Sequence, residues 1–308
     1  AKLNLNDEAF AGALGCAVLQ PRILQSMHAQ GVANIFWGFA KMQVESRTLR
    51  ENLADRTLHP DVLNHLTAQG IANIIYALAL AREKHERLLA ALVPRARAPR
   101  ILRTTQPQDI ATLMWSLSVL GVQDGPLTMA LCARAAALMP RFSGQEAATL
   151  AYAMARLGVR HEAVLESLVR HVAMLRILRA LQGQDVAGLV WALATFRYKK
   201  GRIFHHLRRQ LQRDRVLSRV RVRHGLMCAW AFVRMDEADD KLIERLAEKM
   251  LMGPSELLEL VLEDPQEAEG QQAWESEEDK MAAMDDGEDD EESLLREWEA
   301  AADVRGRS

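Results

Sequence analysis

The feature that most constrains this chain is an eight-residue phrase that returns six times. It reads Gln30-Gly-Val-Ala-Asn-Ile-Phe-Trp37, Gln69-Gly-Ile-Ala-Asn-Ile-Ile-Tyr76, Gln108-Asp-Ile-Ala-Thr-Leu-Met-Trp115, Gln145-Glu-Ala-Ala-Thr-Leu-Ala-Tyr152 and Gln184-Asp-Val-Ala-Gly-Leu-Val-Trp191. Arg223-His-Gly-Leu-Met-Cys-Ala-Trp230 is a degenerate sixth copy. The starts lie 39, 39, 37, 39 and 39 residues apart. A period of that length is the mark of stacked helical units, each unable to bury its apolar face alone.

Each period has room for two helices. The first begins at the Gln; Ser143 and Glu146 have the spacing of a capping box, and Gly121 and Gly158 stand where a helix C-cap is expected. The second helix fills the rest of the period, for example Glu162 to Leu178 or Asp240 to Met250. Only 5% of the residues are aromatic against 49% hydrophobic, and Val/Ile/Thr runs are few, so strands have little support. The expected fold is all-α: an alpha-alpha superhelix, or solenoid, of about six 37–39-residue helix-pair repeats with an acidic C-terminal tail.

Three domains follow from the pattern. Residues 1–29 resemble the second helix of a preceding repeat, so the array is expected to continue a longer one, and the start at Ala1 suggests a mature or trimmed product. Residues 30–253 form the six-repeat solenoid. Residues 254–308 are an acidic, low-complexity tail, expected to be disordered unless partner-bound, with Trp274, Leu294, Leu295 and Trp298 as possible anchors. The tail carries 20 carboxylates against 4 cations, a net −16, which leaves +14 on residues 1–253 out of the whole chain's −2. Cys16, Cys132 and Cys228 are too scattered for a disulfide framework or a zinc site. No apolar run approaches the roughly 18 residues of a membrane span.

At 100° per residue, the third, sixth, seventh and tenth motif positions, Val32, Ile35, Phe36 and Phe39 in the first copy, share one apolar face and should be core. Ala33, Ala72, Ala111, Ala148 and Ala187 form a small-residue seam for close helix approach. The remaining polar stripe holds Gln30, Asn34, Gln69, Asn73, Gln108, Thr112, Gln145, Thr149 and Gln184, with cations Lys41 and Arg156 beside it. Asn and Thr presented once per repeat can read the edges of unstacked bases. They also simply tolerate a helix start and solvent. The rings Trp37, Tyr76, Trp115, Tyr152, Trp191 and Trp230 lie between seam and stripe. Burial between adjacent repeats is the expectation for them, and stacking on bases the alternative.

Two clusters offer phosphate contacts. One is Arg95, Arg97, Arg100 and Arg103; the other is Lys199, Lys200, Arg202, Arg208, Arg209, Arg213, Arg215, Arg219, Arg221 and Arg223, with Asp214 the one acid in its span. Basic groups beside regularly spaced polar ones are what nucleic-acid binding requires.

The phrase resembles the octotricopeptide repeat, a paired-helix unit, over residues 30 to about 251, with residues 184–194 the closest copy. The resemblance implies RNA binding along the first helices and an organellar location, mitochondrion or plastid. It also implies a role in transcript metabolism or in an organellar ribosome, with single-stranded or ribosomal RNA as ligand. Proteins of a ribonucleoprotein complex are further possible partners, through the acidic tail. Arg223, Leu226 and Met227 depart from the pattern in the sixth copy. The chain has no HExxH, GxxxxGK or GxSxG motif, so no enzyme, metal or cofactor is expected. A peptide-holding scaffold without RNA is the competing class, since solenoids serve either ligand.

Overall fold

The computed structural model describes residues 8–42, 44 and 46–262, all of it helix, turn and connection with no strand among the described residues. The chain is therefore an all-α repeat protein. The acidic stretch from residue 263 onward, including Trp274, Leu294, Leu295 and Trp298, lies outside the described residues.

Each copy of the phrase forms a leading helix of 13 residues: Ala29–Lys41, Ala68–Leu80, Pro107–Val119, Gly144–Arg156, Gly183–Thr195 and Val222–Arg234. These helices start one residue before the motif's first position, with N-caps His28, Thr67, Gln106, Ser143 and Arg221 in five of them. The capping box expected at Ser143 and Glu146 is present in both directions. Asp109 does the same service for the Gln106 amide, at 3.0 Å, and Asp185 for that of Gln182, at 2.8 Å. A trailing helix follows, and its N-cap recurs sixteen residues after the motif start: Ser46, His85, Asp124, His161 and Asp239 each accept the amide three residues on. Capping at so many starts explains why short helices hold their bounds.

The repeat has a third part that periodicity did not disclose. The second helix expected from Glu162 to Leu178 is broken: Glu162–Val172 ends, the chain bends at Ala173 and Met174, and a short helix runs Leu175–Ala180. The same break gives Pro21–Ser26, Pro60–Leu63, Pro99–Thr104 and Asp214–Leu217. Proline, where present, opens these segments because its ring fits the first helical turn but cannot continue a preceding helix. The last repeat has this element too, as Pro254–Leu262, which packs on Val222–Arg234 and Asp240–Lys249 with Leu257 and Val261 buried. The helical fold thus runs past residue 253, where the sequence pattern stops.

The chain divides into two compact units, Ala1–Leu181 with Thr195–Ile203, and Gln182–Ala194 with Phe204–Ser308. In the first, Ala29–Lys41 packs on Ala68–Leu80, that on Pro107–Val119, and that on Gly144–Arg156, while trailing helices stack on one another behind them. The expected core face is buried: Val32, Phe36 and Phe39, then Ile71, Ile74, Ile75 and Leu78 in the next repeat, although Ile35 is only half-buried. Each such aliphatic side chain contributes about 1.5–3 kcal/mol by leaving water. The seam alanines are buried, and a Cβ on Gly70 would stand 3.6 Å from that of Ala33. In the second unit Phe204 meets Phe232 edge-on, with centroids 6.0 Å apart.

Leading helices end in a left-handed residue thirteen positions after the motif start. Gly121 (φ 61°) and Gly158 (φ 66°) fill it as expected, but Arg82 (51°), Arg197 (49°) and Asp236 (54°) fill it elsewhere. The next amide returns to the helix, Val159 to the Met154 carbonyl at 2.9 Å, closing the turn whatever the side chain. The left-handed region costs an L-residue about 1–2 kcal/mol, and glycine's extra freedom when unfolded returns part of that. Arg197→Gly should therefore stabilise the protein by roughly 0.5 kcal/mol and Gly158→Ala destabilise it by about 1 kcal/mol in urea unfolding. Equal and null effects of both changes would contradict the backbone argument.

Candidate nucleic-acid interface

The first, fifth, eighth and twelfth motif positions fall within about 60° of one another on a helix of 100° per residue, so they form one stripe along each leading helix. Gln30, Gln69, Gln108, Gln145 and Gln184, at the first position, are exposed. At the fifth, Asn34 is exposed and Asn73, Thr112 and Thr149 are half-buried, whereas Gly188 and Met227 are buried. At the twelfth, Lys41 is exposed and Arg156 half-buried.

The aromatic series departs from the expected burial. Trp37, Tyr76, Trp115, Tyr152, Trp191 and Trp230 are all half-buried, none enclosed. At the eighth position a ring sits 20° from the first position's direction, so one side reaches the next repeat while the other keeps access to solvent. Within the first unit the Tyr76 and Trp115 centroids are 5.3 Å apart with planes at 46°. The twelfth position covers the eighth one turn earlier: Arg156 lies 6.0 Å from the Tyr152 centroid, and in the second unit Arg234 lies 5.0 Å from that of Trp230. On each of the four leading helices of the first unit, a ring and an amide or hydroxyl group therefore share one accessible side.

The cations are sorted differently from their order in the sequence. Arg95 donates to the Asn64 carbonyl of the preceding repeat and so serves the fold. It belongs to a ladder in which Arg56 donates to the Met27 carbonyl (2.7 Å), Arg134 to those of Arg103 (3.0 Å) and Thr105 (3.4 Å), and His171 to that of Phe142 (2.8 Å). These residues stand at the same place in four successive repeats, which sequence reading missed because one of them is a histidine.

In the dense basic cluster, Arg208 is half-buried, donates to the Glu237 carbonyl at 3.0 Å and pairs with Asp239 at 3.1 Å. Lys200 stands 5.4 Å from the Tyr198 centroid, and its proximity to Tyr198 raises its pKa. Lys199, Arg202, Arg209, Arg213, Arg215 and Arg219 are exposed, on three different elements and their connections, and Arg221 and Arg223 are half-buried at the start of the sixth leading helix. Burial, then the charges of Arg223 and Arg221, pushes neighbouring His224 down to about 3, so it is neutral and adds no charge.

Burial pushes the Cys132 thiol up to about 12 and Cys228 higher still, so neither is a reactive thiolate. No group of three or more His, Cys, Asp or Glu among the described residues could hold a metal ion. No helix among them is long and apolar enough to cross a membrane.

No curated protein matches the chain. Residues 1–201, well over half of its length and including the first five copies of the phrase, match the family described as RNA-editing substrate-binding complex 6 protein. With its all-helical repeats and ring-bearing leading helices, the chain belongs to the RNA-editing substrate-binding complex 6 protein family.

Proposed function

We propose that this protein binds single-stranded RNA over its leading helices, as a non-enzymatic substrate-binding component of a mitochondrial RNA-editing assembly. The observation that carries the reading is the row of half-buried rings, one per repeat, flanked by exposed Gln and by Asn or Thr. Unstacked bases supply flat faces for rings and hydrogen-bonding edges for amides and hydroxyls, whereas a paired duplex hides both. The family's name supports RNA as the substrate and an editing complex, rather than a ribosome, as the setting. The octotricopeptide-like phrase supports reading by the first and fifth positions: Gln30, Asn34, Gln69, Asn73, Gln108, Thr112, Gln145, Thr149 and Gln184. The acidic segment beyond residue 263 is proposed to engage protein partners of the assembly.

The test is binding of single-stranded and fully paired RNA of equal length, followed by tryptophan emission and repeated across salt. Single strands should bind and quench emission, with log K falling as log salt rises by about 0.7 per phosphate contact. Equal quenching by duplex would overturn the single-strand reading, and no binding of either would favour a peptide-holding scaffold.

A further inference from the structure

The short third helix of the repeat opens on a phrase of its own. It reads Pro21-Arg-Ile-Leu24, Pro60-Asp-Val-Leu63, Pro99-Arg-Ile-Leu102, Leu175-Arg-Ile-Leu178 and Asp214-Arg-Val-Leu217, shortened in the third repeat to Pro140-Arg-Phe142. The aliphatic or aromatic residue is the anchor: Val62, Ile101, Phe142 and Ile177 are buried. Anchoring one side chain inward turns its neighbour outward, and Arg100, Arg141 and Arg176 are exposed.

All three lie in the first unit, each at the start of its own repeat's leading helix. Arg141 donates to the Gln106 side-chain oxygen at 2.9 Å, beside the start of Pro107–Val119. Arg100 lines a surface depression together with Thr67, Gln69 and the largely buried Asp109, at the start of Ala68–Leu80. Ile177, next to Arg176, lies 3.6 Å from where a Cβ on Gly144 would stand, and the Leu181 methyl only 2.6 Å from it, so this element is pressed against the start of Gly144–Arg156. The edge therefore runs beside Gln69, Gln108 and Gln145, at the N-terminal end of the ring-bearing stripe.

Charge distribution separates this edge from an ordinary solvated surface. On the trailing side of the same unit, several cations meet acids: Arg47 with Glu51 at 3.8 Å, Arg87 with Asp55 at 3.3 Å and Arg160 with Glu162 at 2.6 Å. Arg100, Arg141 and Arg176 have no carboxylate within 4.0 Å among the described residues. In the first repeat the position is Asp61, which pairs with Arg56 at 2.7 Å and also contacts the His59 ring.

We propose that Arg100, Arg141 and Arg176 form a phosphate track, one cation per repeat across three successive repeats, that holds the RNA backbone while the bases turn onto the adjacent rings. The inference rests on the single-stranded RNA reading above. Phosphodiesters fit because they are spaced anions that a guanidinium can fork onto, and because contacts to them position a strand without reading its sequence. The interruption at Asp61 means that the track begins at the second repeat.

The test uses the full chain and a uridine-rich single-stranded RNA as the probe. Arg100→Gln/Arg141→Gln/Arg176→Gln is compared with the charge-matched Arg47→Gln/Arg87→Gln/Arg170→Gln on the trailing helices. Loss of three phosphate contacts should flatten the salt slope by about 2 and weaken binding roughly 100-fold near 0.1 M salt, with the control close to wild type. The single Arg176→Gln, which perturbs the fold least, should flatten the slope by about 0.7. Saturating RNA should still quench tryptophan emission in the edge variant. Equal losses in edge and control variants would overturn the track while leaving RNA binding intact. Absence of binding by the wild type would overturn the RNA reading itself.

Discussion

Trp115→Leu should weaken binding of single-stranded RNA by roughly 5- to 150-fold without changing the salt slope. A base stacked on an aromatic side chain is worth about 1–3 kcal/mol, and 1.4 kcal/mol is a factor of ten. Leucine keeps apolar contact on the half-buried side of the position, so the fold is preserved while the flat partner is lost. Stacking releases no counterions, which separates this change from loss of the arginine edge: one lowers affinity at every salt concentration, the other tilts the dependence. Tyr76→Leu should behave similarly, and the double variant should fall short of additivity because the two rings touch at 5.3 Å. If Trp115→Leu binds as wild type, with a melting curve that also matches, the rings are surface decoration and the bases lie elsewhere.

His171→Ala should destabilise the protein by roughly 2–4 kcal/mol in urea unfolding, a larger effect than any exposed substitution should give. The imidazole is 3% exposed and its Nε2 donates to the Phe142 carbonyl at 2.8 Å. Truncation leaves that carbonyl without its donor and leaves a void between repeats. The neighbouring Arg170→Ala, on the exposed side of the same helix, should stay within about 0.5 kcal/mol of wild type. His171→Arg should recover part of the loss, because arginine fills this place in the three preceding repeats and makes the equivalent bond. A loss below about 1 kcal/mol for alanine would mean that water satisfies the Phe142 carbonyl and that the ladder contributes little.

Much of the fold was legible because a repeat states its local rules several times. Six copies of the phrase, all with the aromatic and five with the Gln, put the leading helices in place to within a residue, and the 3.6-residue periodicity placed Val32, Phe36, Ile71, Ile75 and Leu78 in the core. The capping box of Ser143 and Glu146 and the left-handed Gly121 and Gly158 were equally local, since each needs only neighbours within a turn. The third helix escaped because an apolar pattern carries smoothly through the bend at Ala173 and Met174. Left-handed Arg82, Arg197 and Asp236 escaped because the helix ending imposes the conformation there, with no glycine to announce it.

The site divides the same way. Sequence alone determined which helices carry the recurring polar stripe, which positions recur on them, and that the repeats carry excess positive charge. Only the tertiary structure decided which charges are occupied. Arg95 and Arg208 look as available as Arg100 in the sequence, yet one caps a carbonyl from the preceding repeat and the other reaches Glu237 and Asp239. Those partners lie about thirty residues away along the chain, and the stacking of consecutive repeats is what brings such distances together. The half-burial of the rings is also a tertiary result: helix geometry fixes the direction of Trp115, but how much of it meets solvent depends on how closely the next leading helix approaches, which the packing of small residues such as Ala111 and Ala148 sets.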